Sequence, residues 1–266
     1  GGLTVVHDLR KALPSESIVY VGDTARVPYG IKSPESIRRY SREITRFLVD
    51  HGVKLVLIAC NTVSAHALDD VREEAGGVPV IDVLSAGVQA VVGAVGAHAA
   101  AESHPLTTPG IGVLGTLATV GSGLYERRIL EQLPAARVHS KACPLLVPLA
   151  EEGWIDHPAS RLTLQEYLAE FRGRRLASLI LGCTHYPLFR NVIAELLEPE
   201  HPGVAIVDSA QAAADAVRAQ LATAGFAETG KRGQLDCFVT DRPQRFGELA
   251  GLFLGENLPS VDLIRL

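Results

Sequence analysis

The chain has 266 residues, 47% of them hydrophobic and 21% charged, and a net charge of −5; this is globular composition with length for about two domains and a substantial buried core. The acidic balance and the absence of a long basic run exclude an extended phosphate-binding face, so nucleic acid is not an expected partner, although a compact basic pocket for a small anion stays open. The longest weakly polar stretch, 86–101, carries Gln89 and His98 and is too short and too mildly apolar to cross a bilayer, so no membrane partner is expected either.

The elements alternate in chain order. A strand is predicted at 18–21, ending at Gly22-Asp23, then a helix capped by Ser33 with Pro34 at its first position and closed by Gly52. A strand at 54–59 and a helix over 64–75 follow, and 78–81 is a further strand. Residues 86–101 begin as a buried helix, and 96–110 read as an exposed loop. A strand at 111–114, a single helix over 120–133 and a weaker strand at 138–142 come next. A helix carrying Leu164, Tyr167, Leu168 and Phe171 on one side leads to Gly173. A strand ending at Gly182, a strand at 204–207, a helix over 211–224 and closing strands at 235–240 and 261–264 complete the chain.

This alternation implies parallel sheets flanked by helices. The fold class is therefore α/β, as two pseudo-symmetric domains with the active site in the cleft between them. The first domain is expected over 1–84 plus 208–266 and the second over 85–207.

Two cysteines occupy matched frames. One reads Lys54-Leu55-Val56-Leu57-Ile58-Ala59-Cys60-Asn61-Thr62, the other Ala177-Ser178-Leu179-Ile180-Leu181-Gly182-Cys183-Thr184-His185. Each aliphatic run reads as a buried parallel strand with a thiol at its carboxyl end, where open α/β sheets bind ligands. A following helix N-terminus would favour the thiolate at both sites. One thiol from each side of a cleft can serve as base and acid toward one carbon. Buried inert cysteine is the plain alternative, but Asn61, Thr62, Thr184 and His185 supply polar groups that a structural cysteine does not need. Disulfide chemistry would normally use a C-x-x-C pair, which is absent. Acyl transfer needs one cysteine and one base, for which His185 could serve, and leaves the second thiol unexplained.

The stretch 20–30 places Asp23 before Pro28-Tyr29-Gly30, a turn whose backbone N–H groups can face a carboxylate. Thr116 and Thr119 could add hydroxyls at another strand end or simply cap a helix. Cys143 and Cys237 read as structural, and His7, His51, His66 and His98 as surface or loop residues. No zinc-ligand spacing appears and no metal is expected. No signal-peptide pattern is visible, and a reducing, cytoplasmic setting is expected. The sequence contains no Met and begins Gly1-Gly2, so further residues are expected in front of it.

The segments Ala59-Cys60-Asn61-Thr62 and Gly182-Cys183-Thr184-His185-Tyr186-Pro187-Leu188, together with 20–30, closely resemble the glutamate racemase family. Gly1-Gly2-Leu3-Thr4-Val5, Cys143-Pro144, Glu151-Glu152-Gly153 and Val207-Asp208-Ser209-Ala210 also fit, so the resemblance spans almost the whole chain. It implies two α/β domains and cofactor-independent interconversion of L- and D-glutamate, supplying D-glutamate for peptidoglycan. Cys183 would deprotonate L-glutamate and Cys60 D-glutamate, with His185 assisting Cys183. Tyr29, Gly30, Asn61, Thr62, Thr184 and His185 would bind substrate, and Asp23, Thr116 and Glu151 (chosen over Glu152) would help. Relatives are often homodimers. Members usually open with a strand ending Phe-Asp-Ser-Gly-Val-Gly-Gly, and this sequence starts at the last two glycines. The competing expectations are an aspartate racemase, an idle amino-acid-binding or regulatory protein of the same fold, and a single-cysteine hydrolase or transferase.

Overall fold

The computed structural model describes residues 1–101, 108–225, 230, 232–255, 258 and 260–266, with backbone alone for 98–101. Helix α1 (Gly2–Ala12) precedes strand β1 (Ile18–Gly22), a 3-10 turn (Tyr29–Ile31) and α2 (Pro34–Asp50). Then come β2 (Val56–Ile58), α3 (Asn61–Glu74), β3 (Val80–Asp82), α4 (Val83–Ala101), β4 (Gly110–Gly115), α5 (Leu117–Gly121), α6 (Leu124–Gln132) and β5 (Arg137–Ala142). The chain continues through α7 (Leu146–Glu151), α8 (Pro158–Leu168), β6 (Leu176–Gly182), a 3-10 turn (Tyr186–Phe189), α9 (Arg190–Leu197) and β7 (Ala205–Asp208). It closes with α10 (Ser209–Thr223), β8 (Leu235–Val239), α11 (Pro243–Leu254) and β9 (Asp262–Leu263).

All strand pairs described are parallel, as a βα alternation demands. They form one sheet ordered β5-β4-β6-β7, a second ordered β1-β8-β9, and a β2-β3 pair. Strands β4 and β6 are buried at every position because helices cover both faces, which is why their sequences run without polar alternation. In β6, Leu179 and Leu181 join a core with Leu146, Phe171, Phe189 and Ile193. Ile180 points the other way, toward Leu84, Val91, Ile111 and Ile129. Each such side chain contributes about 2 kcal/mol through removal from water. Helix α2 starts where expected: the Ser33 hydroxyl accepts from the Ser36 N–H at 3.3 Å, and Pro34 occupies the first turn. Gly52, at φ 70°, follows its C-cap.

Several boundaries differ from expectation. Helix α3 begins at Asn61 rather than near 64, so Cys60 is its N-cap and Asn61 and Thr62 lie in its first turn. Helix α4 continues to Ala101, through part of the region read as loop: its many Ala residues favour the helix, and its Gly residues cost propensity but break no hydrogen bond. The rest of that loop reading, 102–107, and the side chain of His98 lie outside the described residues. The single helix expected over 120–133 is two, because Gly123 adopts φ 63° and turns the chain between α5 and α6.

Candidate active site

The two cysteine frames meet at the carboxyl ends of β2 and β6. Cys60, partly buried, caps α3, and its carbonyl accepts from the Ser64 N–H at 2.9 Å. Cys183 is buried and leads into the 3-10 turn, whose N-cap is His185. Only Cys60 therefore sits directly at an α-helix N-terminus. Burial pushes the Cys60 thiol up, against the opposing pull of the Val63 and Thr62 N–H groups. Burial likewise pushes Cys183 up, to about 12, and the nearby Cys60 adds to the shift. This corrects the expectation that helix termini leave both thiols acidic: desolvation outweighs them. The two frames are in direct contact, the Thr184 hydroxyl reaching across to donate to the Ala59 carbonyl at 3.4 Å.

Cys183 has a polar relay behind it. Its Sγ lies 3.7 Å from His185 Nδ1, and His185 Nε2 lies 3.2 Å from Glu151 Oε1, at the end of α7. The hydrogen bond to His185 holds the Glu151 carboxyl below its ordinary range, so it accepts and Nε2 carries the proton. Nδ1 is then the free acceptor facing the thiol. Burial lowers the imidazole, so the ring is neutral at neutral pH with Nδ1 unprotonated, and Glu151 opposes that shift. Glu152 lies elsewhere, 3.9 Å from Arg245.

Polar side chains from three elements join this pair. Thr62 Oγ1 lies 3.0 Å from Thr116 Oγ1 and 3.3 Å from Thr119 Oγ1, and Thr116 also caps α5. Thr116 is thus a helix cap, and its hydroxyl also meets that of Thr62. Gly30 sits against Thr116 so closely that a Cβ there would lie 2.9 Å from Thr116 Cβ. Tyr29 is buried and donates its hydroxyl to Asp23. The same carboxylate accepts from Arg26 Nε at 2.7 Å and Thr240 Oγ1 at 2.9 Å, so Asp23 is fully engaged in fixing Tyr29. The start of α1 borders the site: Thr4 Oγ1 donates to the Thr184 carbonyl at 2.8 Å, and a Cβ on Gly1, its N-cap, would lie 2.5 Å from His185 Nδ1.

Other residues divide differently. Cys143 and Cys237 are buried, and burial raises both thiols, the second to about 11. His51 is exposed, at the C-cap of α2. His7 and His66 correct the surface-or-loop reading. Both lie in helices, with His7 Nδ1 2.9 Å from the Leu254 carbonyl and His66 Nε2 3.1 Å from the Ala118 carbonyl. Sequence reasoning missed Tyr125, whose hydroxyl donates to Asn61 Oδ1 at 2.6 Å, and Tyr186, which donates to the Cys143 carbonyl at 2.8 Å. The Tyr186 position next to the second cysteine was visible, but Tyr125 had only its place in a helix to mark it. Among the described residues no group of three His, Cys, Asp or Glu is placed to hold a metal ion, and no helix is long and apolar enough to cross a membrane.

The chain is similar to characterised proteins over nearly its full length. It is 49% identical to the glutamate racemase of Chlorobaculum tepidum, covering 99% of this chain and 92% of that one. The crystal structure of glutamate racemase from Francisella tularensis in complex with D-glutamate matches with a TM-score of 0.87 at 36% identity, over 99% of this chain and 93% of the other. The Thermus thermophilus glutamate racemase, in complex with beta-chloro-D-alanine, matches with a TM-score of 0.85 at 39% identity, over 100% and 93%. Residues 4–217 match the family model described as Asp/Glu/Hydantoin racemase, and the chain belongs to that family of amino-acid racemases.

Proposed function

We propose that this chain interconverts L- and D-glutamate without a cofactor, by proton transfer between two cysteines on opposite faces of the substrate carbon. The observation that carries the reading is the contact between the two cysteine frames at the ends of β2 and β6, where Thr184, next to Cys183, donates to the carbonyl of Ala59, next to Cys60, at 3.4 Å. In the direction from L-glutamate, Cys183 as thiolate takes the Cα proton and becomes a thiol. Cys60 delivers its own proton to the opposite face and becomes a thiolate. The reverse reaction exchanges these roles. Because burial favours the neutral thiol, each must be ionised by local help. His185 Nδ1 takes the Cys183 proton, and Glu151 stabilises the resulting imidazolium. The Thr62 and Val63 N–H groups and the start of α3 favour negative charge on Cys60.

The Cα–H bond of an amino acid is very weakly acidic, so charge developing on the α-carboxylate needs donors fixed in advance. Thr62, Thr116 and Thr184, with Gly30, are the groups we assign to that carboxylate, and Asn61 and Tyr29 are assigned to substrate groups whose charge does not change in the reaction. The fixed state of Asp23 suits it to holding Tyr29 rather than to proton transfer. Thr119 extends the hydroxyl cluster. We further assign residues 1–84 and 208–266 to one domain and 85–207 to the other, with a homodimeric enzyme in the cytoplasm supplying D-glutamate for peptidoglycan.

Deuterium wash-in tests the reaction. Either glutamate enantiomer in D2O should gain deuterium at Cα while its optical rotation decays. Binding of glutamate with no exchange would support the idle-protein alternative, and faster exchange on aspartate would assign that substrate instead.

A further inference from the structure

Behind Asn61 lies a buried hydrogen-bond chain that the proton-transfer mechanism does not use. Asn61 and Tyr125 are each 2% exposed, and Ser209 is fully buried. The Ser209 hydroxyl donates its one proton to the Leu181 carbonyl at 3.0 Å. Toward Asn61, 3.3 Å away, it can then only accept, so the Asn61 Nδ2 group must be the one that faces it. Oδ1 is thereby turned toward Tyr125, whose hydroxyl donates to it at 2.6 Å. The amide orientation follows from an anchored backbone carbonyl: Ser209 has no proton left for Oδ1, and the Tyr125 hydroxyl supplies one. That carbonyl belongs to β6, two residues before Cys183, whereas Asn61 directly follows Cys60.

The approach of Tyr125 is itself built in. A Cβ on Gly182 would lie 2.9 Å from Tyr125 Cε2 and 2.8 Å from the Leu114 carbonyl, so the tyrosine ring reaches Asn61 because this residue is glycine. Turning the amide over would deprive the Tyr125 proton of its acceptor and set the amide oxygen against a serine with no proton to give. Each mismatch costs on the order of a buried hydrogen bond.

We propose that Tyr125 and Ser209 are positioning residues that lock the Asn61 side-chain amide in one orientation, leaving its second N–H and second oxygen lone pair aligned for the amino-acid head group. This deepens the glutamate reading above and rests on it. Asn61 would hold substrate and transition state alike, so its misorientation should appear in KM rather than kcat.

The test uses Tyr125→Phe, which keeps the ring, and Ser209→Ala, which frees Nδ2. Each should raise KM for both glutamate enantiomers about tenfold, close to 1.4 kcal/mol, with kcat within about twofold. In an Asn61→Ala background neither change should raise KM further. Hydrogen exchange of the Asn61 side-chain amide, followed by nitrogen-15 NMR, should quicken in both variants. Unaltered KM and unaltered amide exchange would overturn the proposal, as would an equal KM rise without Asn61. If the wild-type protein exchanges no Cα hydrogen, the racemase reading fails instead, and the amide exchange rates still decide whether Tyr125 and Ser209 hold Asn61.

Discussion

Cys183, His185 and Glu151 form a line, with Sγ 3.7 Å from Nδ1 and Nε2 3.2 Å from Oε1. Glu151→Gln removes the charge that supports an imidazolium on His185 while preserving an acceptor oxygen for Nε2. The Cys183 thiolate then becomes harder to form, and the ascending limb of kcat/KM against pH should move upward by about one unit. Because the two enantiomers are equal in free energy, kcat/KM must fall by the same factor in both directions. Glu152→Gln, altering a carboxylate paired at 3.9 Å with Arg245, should leave the profile in place. The cysteines make a sharper prediction. Cys60→Ser removes one acid–base group but leaves Cys183 and its relay intact. Deuterium should then enter L-glutamate with retained configuration, while racemisation falls below detection on a chiral column. Inversion at wild-type rate in this variant would sink the two-base scheme. These roles were partly legible in the sequence, because thiol, amide, hydroxyl and imidazole follow one another directly after two aliphatic runs. The resemblance pointed only to one of Glu151 and Glu152, since neighbouring glutamates at a helix end look alike until the turn of α7 brings one to His185.

At the level of elements, β6 combines the most buried side chains with the most exacting contacts. Leu181→Ala should destabilise the protein by about 2–5 kcal/mol in urea denaturation, because the neighbouring Leu179 and Phe189 cannot close the void. Leu162→Ala, on α8 and 66% exposed, should change stability by less than about 0.5 kcal/mol. Gly182→Ala adds a carbon that meets backbone on one side and a buried ring on the other, and a cost of about 1–3 kcal/mol is expected. Such strands were readable because a short, continuous apolar run closed by Gly matches a strand covered on both faces. Element edges were less so. The first turn of α3 uses Asn61 and Thr62, residues whose side chains favour caps and turns in isolation, and tertiary bonds to Tyr125 and Thr116 hold them in a helix. Gly123 breaks a helix whose periodicity runs on around it, and only its positive φ reveals the turn.

Across the whole molecule, buried titrating groups set a stability window. Burial lowers the folded-state imidazole of His185 below its ordinary 6.5, so its contribution is complete above that pH and is lost as acid charges the ring. Burial raises Cys183 from 9.0 to about 12, so its contribution is complete below 9 and is lost as the pH climbs through that interval; Cys143 acts in the same sense. Asp8 and Asp208, also raised by burial, work against the acid loss at lower pH. Urea midpoints should therefore hold from about pH 6.5 to 9 and fall at alkaline pH, less steeply in Cys143→Ala than in the wild type. The α/β class was evident from alternation, but the division of the remaining strands into β1-β8-β9 and β2-β3 was not, because β1 pairs with β8 from the other end of the chain and such distant partners leave no local mark. One consequence follows from the end of β6, where the Leu181 carbonyl meets Ser209, Gly182 admits Tyr125, and Cys183 faces His185. Three successive positions with three distinct obligations make the strand a fixed ruler. Adding or deleting one amino acid there would misalign every later obligation at once, so evolutionary changes in length have to be absorbed in other parts of the polypeptide.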